Sequence, residues 1–573
     1  MNSKTIGTAW KKAIRNPDLL ACLLLAILFW AARYWMVAGF GLYEDDLTII
    51  PAAATMSFSE VLRFVWVYIT HLYGHARPLS DSFIYLFSNL GWRIGGLSGI
   101  YAIGYLISIV NILLFYFLIR RVSNPPLAFF AGMAYCLYSA DTTQAFLTHS
   151  LGVQPSVLLL LAAAHNYLSG RKWLAYPLAF LILFSYETPF LVFVAVPLLR
   201  KKWDGRLLRE FILHGLILTV MLGAVYLLRS AIGEGRVAGL SGKEILTVPL
   251  QQVLRGTRVS LTKYVRLALQ TAGNLDQNRG TLLPVLMAFL CLLVVLWQKI
   301  RREFPAGLVA AFGQIRLRPG KFHIPEEFLQ LGQLLVCGLL MIAAAYPLTF
   351  TTQAYAVQGR ESRVHLAAVL GNSLLMGLLL YAGFALAKRL RVTLIACLLY
   401  AAWLALLVGY GFEIQRDYQK AWQLQKDFWS EVVRLAPDAG ENTIVLVDAT
   451  SLEDSVQIDA NTWNLPRVLP LLYEMPVAWR NPPRVYRLRD HWEDALAASQ
   501  DECRLDDKTV TAPPSLYGVF PSSQVIFLDT RSGEMTRRNE PLPLNGTYYE
   551  LQPEEQPVLP QLPHALLYTL LFR

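Results

Sequence analysis

Long apolar runs separated by short polar segments fill most of the chain before residue 412. Runs near the roughly 20 residues that cross a bilayer predict membrane-spanning helices. They lie at 18–40, 100–119, 126–140, 152–168, 211–232, 281–298, 329–349, 364–387 and 392–412. Between them, 173–199 predicts two further short spans, 173–184 and 189–199, which meet at Ser185-Tyr186-Glu187-Thr188. The pattern therefore predicts an α-helical polytopic membrane protein with about eleven transmembrane helices.

The positive charges between the apolar runs indicate how these helices are oriented. The positive-inside rule places Lys-rich and Arg-rich ends in the cytoplasm. With a cytoplasmic N-terminus, that side receives Lys11-Lys12, Arg120-Arg121, Arg171-Lys172, Arg200-Lys201-Lys202 and Lys388-Arg389. An odd number of spans then places the C-terminus outside the cytoplasm. The first run is too long for a signal peptide and has no clear cleavage site, so we expect a retained span in a cell (inner) membrane.

One segment departs from this arrangement. Residues 233–280 are predicted to be external, yet the segment is rich in positive charge. It carries Arg236, Lys243, Arg255, Arg258, Lys263, Arg266 and Arg279. Either a span is miscounted in this region, or the segment faces anionic groups.

The chain divides into a membrane domain and a polar C-terminal domain. The membrane domain covers 1–412 and includes a first external loop at 41–99, in which 58–73 predicts an aromatic-rich interfacial helix. An amphipathic pattern over 413–440 predicts a helical linker. The remainder, 441–573, predicts an extracytoplasmic α/β domain that recognises an acceptor, packs over the external loops or docks a partner. Its predicted elements are strands at 443–447 and 524–528, a helix at 465–473 and a hairpin turn at Asn545-Gly546.

Composition supports the membrane assignment and excludes other classes. Hydrophobic residues make up 55% of the chain and charged residues 16%, with a mean hydropathy of +0.39, whereas soluble chains are about 45–50% apolar. The net charge of +10 lies in clusters between apolar runs, so it indicates topology and not a nucleic-acid partner. Cys503 is the one cysteine in the polar region, which leaves no disulfide framework there.

Three consecutive acids, Glu44-Asp45-Asp46, follow the first predicted span. Carboxylates at the end of a membrane helix cost free energy unless they meet water, a cation or a substrate. Mutual repulsion raises the pKa of at least one of three adjacent carboxyls, which suits a general base. The alternative is a solvated loop or a helix cap.

Other ionisable residues lie at the predicted external ends of helices. His75 and Arg77 are placed either to bind a phosphate or to anchor the first loop. Glu187, in a long apolar stretch, must face the protein interior or a cavity; it is either part of a site, a cap of two short helices or the partner of a buried Arg.

A final charged cluster begins a late span. Arg360, Arg363 and His365 are placed to grip a phosphate, because the planar guanidinium of Arg presents a fork of donors. Pairing of the arginines with Glu361 or Glu187 is the alternative.

In this order, the residues resemble the GT-C superfamily of integral membrane glycosyltransferases. Members take a sugar from a polyprenyl-phosphate carrier and include the protein O-mannosyltransferases and the lipid A aminoarabinose transferases. The resemblance covers about residues 15–430 and depends on the order of four elements. These are the acids at 44–46, Arg77-Pro78-Leu79, Ser185-Tyr186-Glu187 and the segment 358–365.

The resemblance implies roles for the acids and the late arginines. It implies that Asp45 is the catalytic base, with Asp46 or Glu44 as the alternatives, because the usual acidic pair is a triplet here. It also implies that Arg360 or Arg363 contacts the carrier phosphate.

The chain departs from the pattern of the superfamily in its third element. Members commonly have Lys directly before the acid, where this chain has Tyr186. A phosphate contact made by that Lys would come here from His75, Arg77 or the segment 233–280.

The implied reaction is transfer of the sugar to an acceptor hydroxyl with inversion at the anomeric carbon. The implied partners are a polyprenyl-phosphate-linked sugar donor, membrane lipid and a glycan, lipid or protein acceptor. The sequence leaves open whether a divalent cation, Mg²⁺ or Mn²⁺, assists the reaction at carboxylates such as Asp45 and Glu187.

Two other functions are compatible with this sequence. One is a transporter or flippase of lipid-linked saccharide, which would bury charges at mid-membrane in several helices. The other is an inactive envelope scaffold. We favour the enzyme because the ionisable residues collect at external loops and helix ends.

Overall fold

The structure is a computed structural model. It describes residues 16–71, 76–200, 203–234, 244–305, 309, 325–349, 354–449, 451–453, 455, 465–473, 475–476, 478–490, 492–495, 502–512, 514–544, 547–559 and 563–572.

Helices dominate the chain up to residue 435. They are α1 (Pro17–Tyr34), α2 (Asp46–Thr55), α3 (Phe58–His71), α4 (Pro78–Val122), α5 (Pro125–Cys136), α6 (Gln154–Leu168), α7 (Lys172–Ser185), α8 (Gly205–Ala231), α9 (Glu244–Asn274), α10 (Arg279–Glu303), α11 (Glu326–Ala344), α12 (Val369–Arg389) and α13 (Thr393–Leu435). Short 3-10 segments lie at Phe190–Leu199 and Arg360–Ala368, and a π-helical turn lies at His149–Val153.

The described residues contain eight helical stretches that are long and apolar enough to cross a membrane. These stretches contain α1, α4, α6, α8, α10, α11, α12 and α13. Their outward faces are apolar: Leu208, Leu213, Leu216 and Val220 of α8 are all exposed. Exposed leucines and valines along a helix are stable against lipid and not against water. The protein is therefore a polytopic helical membrane protein, while the count of eleven crossings stays a prediction.

The predicted first loop, 41–99, is largely helical. Helices α2 and α3 lie within it, and α3 confirms the predicted aromatic-rich helix up to residue 71. Helix α4 begins at Pro78, long before the predicted span at 100. Proline suits the first turn of a helix, which explains the exact starting residue. A kink at Gly95-Gly96 divides α4, and Gly96 has φ +59°, which favours glycine.

The two short helices predicted within 173–199 are present. They are α7 and the 3-10 segment that begins at Phe190. The residues between them, including Glu187, lie at one end of the helix bundle, where the predicted external segments also meet.

The last membrane helix holds the acidic loop in place. Helix α13 continues to Leu435 without a break, as the amphipathic pattern predicted. From this extension the Gln425 side chain donates to the Leu42 carbonyl at 2.9 Å, and the Tyr418 carbonyl accepts from the Tyr43 hydroxyl at 2.7 Å. The backbone just before Glu44 is therefore fixed by α13.

The C-terminal region contains a small α/β unit. Strands β1 (Ile444–Asp448), β2 (Arg484–Arg487), β5 (Val525–Asp529) and β6 (Thr536–Arg538) form one sheet in the order β2-β1-β5-β6, while β3 (Glu502–Leu505) pairs with β4 (Gly518–Pro521) and β7 (Leu542–Leu544) pairs with β8 (Thr547–Tyr549). Strand β1 runs parallel to β2 and β5. The helices are α14 (Leu465–Leu472), α15 (Trp492–Ala495) and α16 (Leu566–Phe572).

The two strands and the helix predicted for this unit are confirmed. Strands β1 and β5 and helix α14 lie where the sequence predicts them. The predicted turn at Asn545-Gly546 lies outside the described residues, but Leu544 and Thr547 on either side are paired in an antiparallel register.

The C-terminal unit packs over the first external loop. Helices α14 and α16 both contact α2, and α16 also contacts α13. Of the three roles expected for this domain, packing over the loop is the one that the structure shows.

Gly41 is required where the first external loop packs against Trp422 of α13. A Cβ atom at Gly41 would lie 1.8 Å from the Trp422 ring, whereas a Cβ atom at Gly215 of α8 would meet no atom within 4 Å. We predict that Gly41→Ala destabilises the folded protein by about 1–3 kcal/mol, the usual cost of overpacking. Thermal unfolding in detergent, followed by circular dichroism, would show a lower midpoint than for Gly215→Ala. Equal midpoints for the two variants would contradict the packing.

Candidate functional site

Asp46 is the most deeply buried of the three acids. Its two carboxylate oxygens accept hydrogen bonds from the backbone N–H groups of Leu147 and Thr148, each at 2.8 Å. These donors come just before the π-helical turn that begins at His149. Burial raises the pKa of Asp46 to about 7, although the two N–H donors oppose the shift. Asp46 therefore connects two loops and does not face a substrate in this structure.

Asp45 and Glu44 both pair with Arg360. Asp45 Oδ2 lies 2.5 Å from Arg360 Nη2, and Glu44 Oε2 accepts from Arg360 Nη1 at 3.2 Å. The Glu44 side chain is buried, while those of Asp45 and Arg360 are 25% and 23% exposed. Glu44 has φ +50°, a left-handed conformation that costs a residue with a Cβ about 1 kcal/mol. Asp45 is the member of the triplet that is both accessible and next to a cation.

Arg363 extends the site on the side of the π-helical turn. Its Nη1 lies 3.3 Å from His149 Nε2, and because Arg can only donate, that nitrogen is the acceptor. The Nε–H groups of Arg360 and Arg363 are buried and donate to no group among the described residues. Buried guanidinium donors without an acceptor are suited to an anion.

The loop at 141–151 lies against the segment that carries these arginines. The Ser362 hydroxyl accepts from the Thr142 N–H at 3.0 Å and donates to the Gly359 carbonyl at 2.8 Å. Three segments far apart in sequence, around residue 45, at 142–149 and around residue 360, therefore meet at one end of the bundle.

Arg77 and Glu187 form a second charged cluster. Arg77 Nε donates to Glu187 Oε2 at 2.8 Å, and Nη2 donates to the other oxygen. Tyr186 stacks under the Arg77 guanidinium at 4.6 Å, and Arg229 lies 3.5 Å from Glu187 Oε2. Burial by itself would raise the pKa of Glu187, but Arg77 and Arg229 outweigh it and lower the pKa to about 2. Glu187 is thus the partner of buried arginines, one of the alternatives that the sequence left open.

Asp81 lies between the two clusters, and sequence reasoning missed it. Its carboxylate is close enough to interact electrostatically with both Arg77 and Asp45. Asp81 lies one helical turn after Arg77 at the start of α4. The spacing of four residues would have indicated that the two side chains are neighbours, but the sequence did not predict a helix at these positions.

His365 does not face this site. It is fully buried; its Nδ1 bonds with the Tyr346 hydroxyl at 2.9 Å and its Nε2 with the Ala356 carbonyl at 2.8 Å. Both ring nitrogens are occupied by protein groups, so the residue positions the segment before α12. His75, the other histidine predicted to contact substrate, lies outside the described residues.

Arg33 is a second residue that sequence reasoning missed. It is buried within the first predicted span and donates to the Tyr138 carbonyl and to the Gln144 side chain. Burial also raises the pKa of the neighbouring Asp141, which lies in electrostatic contact with Arg33. A charge inside the first apolar run was the available signal. Arg33 fixes the loop that contacts Ser362.

No group of three His, Cys, Asp or Glu side chains in the described part of the chain is arranged to hold a metal ion. The two carboxylates expected to hold a divalent cation pair with different arginines, Asp45 with Arg360 and Glu187 with Arg77. A requirement for Mg²⁺ or Mn²⁺ stays a prediction.

The geometry is suited to proton transfer beside a bound anion. Asp45 offers an accessible carboxylate, and Arg360 offers guanidinium donors directly beside it. Arg363, three residues further along the same segment, offers a second guanidinium next to His149. Such an arrangement takes a proton from a hydroxyl and stabilises negative charge on a departing group.

No family model, no curated protein and no solved structure matches this chain. The functional argument therefore depends on these residues alone.

The buried ion pair gives a stability prediction. Glu187→Gln leaves Arg77 as a buried charge without its partner, which typically costs about 3–5 kcal/mol, whereas the double variant Arg77→Met/Glu187→Gln removes both charges and is expected to cost less. The matched control is the exposed pair Lys420 and Glu453, for which Glu453→Gln should cost below about 1 kcal/mol. Thermal unfolding in detergent measures all three variants. A double variant that is less stable than the single one would contradict the pairing.

Asp46 gives a pH prediction. Its pKa is raised from 3.8 to about 7 in the folded protein, so the folded state binds its proton more tightly than the unfolded state. Its contribution to stability is complete below about pH 4 and is lost as the pH rises to about 7. The unfolding midpoint of the wild type relative to Asp46→Asn should therefore fall from pH 4 to pH 7 and stay level above it. A constant difference would show that Asp46 titrates normally.

Proposed function

We propose that this protein is an inverting glycosyltransferase of GT-C type, with about eleven transmembrane helices, that moves a sugar from a polyprenyl-phosphate carrier to an acceptor hydroxyl. The observation that carries the proposal is the accessible Asp45 carboxylate paired with Arg360, in a segment where the buried Nε–H groups of Arg360 and Arg363 donate to no described group. Support also comes from the meeting of the first loop with the late arginine segment at one end of the bundle. The site is proposed to lie at the external membrane face.

In this proposal the resting ion pair is exchanged when the donor binds. The carrier phosphate takes the place of the Asp45 carboxylate on Arg360, and Arg363 supplies further donors. Asp45 then accepts the proton of the acceptor hydroxyl, while the oxygen of that hydroxyl forms a bond to the anomeric carbon. The bond between that carbon and the phosphate oxygen breaks, and the carrier phosphate leaves with the electron pair. The proton on Asp45 passes to solvent.

Glu187 and Arg77 have a supporting part in this scheme. In the resting structure Arg77 and Glu187 are paired with each other. We therefore propose that they position the start of α4, and with it Asp81, beside Asp45.

Release of free polyprenyl phosphate from a panel of polyprenyl-phosphate sugars tests the proposal. The purified protein in detergent is supplied with membrane extract as a source of acceptor. We expect Asp45→Asn to lower the rate by about 10²–10⁴, the usual contribution of a general base, and Arg360→Ala by about 10²–10³.

Charge-matched controls are Asp276→Asn and Arg209→Ala, both at exposed positions, which should leave the rate unchanged. Release that persists in Asp45→Asn would contradict the role of the base. No release with any donor would favour transport of a lipid-linked saccharide.

A further inference from the structure

A second polar cavity lies beside the candidate site. It has a volume of about 770 Å³ and is bounded by α9, the segment 355–358 and α13. The charged and polar residues that line it include Arg255, Arg258, Lys263, Arg266, Tyr355 and Gln358. The wall formed by 355–358 continues directly into Gly359 and Arg360, so the cavity adjoins the arginines described above.

Three of the positive charges of this cavity have no acidic partner in the part of the chain that the structure describes. Arg258, Lys263 and Arg266 form no ion pair there. Arg255 stacks on Tyr355 at 6.0 Å. Arg258 and Arg266 are exposed, so the cations around the cavity give it a positive potential that attracts an anionic ligand.

Lys263 is the most informative of the four. The residue is only 8% exposed, yet its ammonium has no hydrogen-bond acceptor among the described residues. Burial and the neighbouring Arg266 lower its pKa to about 8. A largely buried lysine whose ammonium reaches a cavity is partly desolvated, and a bound anion would offset that cost.

Helix α9 carries apolar and cationic residues side by side. Leu250, Leu254, Val265 and Leu269 are exposed. Arg255, Arg258 and Arg266 are also exposed, while Lys263 is buried. Exposed apolar side chains beside cations place an anion-binding surface next to a bilayer. The sequence left open either a miscounted span or a face for anionic groups in segment 233–280. These four cations fit the second alternative, whereas Arg236 and Lys243 lie outside the described residues.

We propose that this cavity is a binding site for a phosphorylated ligand with at least two phosphate groups. Two arginine forks and a buried ammonium match the oxygens of a diphosphate better than those of a single phosphate. The volume is in the range of small-molecule sites, about 300–1,000 Å³. The diphosphate is either carried on a lipid or part of a soluble molecule. The proposal does not depend on the transferase chemistry, because binding is measured directly.

Isothermal titration calorimetry on the purified full chain in detergent tests this site. The probes are inorganic pyrophosphate, inorganic phosphate, farnesyl diphosphate and farnesol. We expect pyrophosphate to bind more tightly than phosphate, and farnesol not to bind. Much tighter binding of farnesyl diphosphate than of pyrophosphate would identify a lipid-borne ligand, and equal binding would identify a soluble one.

Variants locate the binding. Lys263→Gln/Arg266→Gln should weaken diphosphate binding about tenfold or more. The control Arg206→Gln/Arg209→Gln removes two exposed charges from α8 and should leave the affinity unchanged. Unfolding midpoints confirm that both double variants are folded.

Two results would overturn the proposal. The first is absence of pyrophosphate and farnesyl diphosphate binding to the wild type at millimolar concentration. The second is equal affinity of the Lys263→Gln/Arg266→Gln variant and the wild type.

Discussion

The contact of Arg360 with Glu44 and Asp45 ties the first external loop to the segment before α12. The two partners are more than 300 positions apart in sequence, so the contact exists only when the whole bundle is assembled. The surrounding contacts also hold these segments together. Gln425 and Tyr418 of α13 hold the backbone before Glu44, and Ser362 holds the loop at 142. The Arg360 guanidinium also offsets the repulsion between the Glu44 and Asp45 carboxylates.

The charges at this end of the bundle fall into two kinds. Arg77 and Glu187 satisfy each other through two hydrogen bonds, so they stabilise the arrangement of short helices around them. Arg360 and Arg363 differ, because their Nε–H groups are buried without an acceptor among the described residues. A fully satisfied pair is a structural device, whereas donors without an acceptor are ready for a ligand. The division separates the positioning residues from those proposed to contact substrate.

Apolar run length and alternation predicted most of the helices, the two main strands and the long extension of α13. These depend on local periodicity, which the sequence displays directly. The sequence did not predict the early start of α4 at Pro78, because 78–99 is less apolar than a span. It also could not distinguish Asp45 from Asp46. Their difference arises from the N–H groups of Leu147 and Thr148, about 100 positions away, and no local pattern reports such a contact.

The most direct test of the central claim is an experimental structure of the protein with a non-hydrolysable polyprenyl-phosphonate sugar bound. The account predicts phosphonate oxygens within hydrogen-bond distance of Arg360 or Arg363, and the Asp45 carboxylate released from Arg360 and facing the anomeric carbon. A headgroup bound elsewhere, with Asp45 still paired to Arg360, would contradict it.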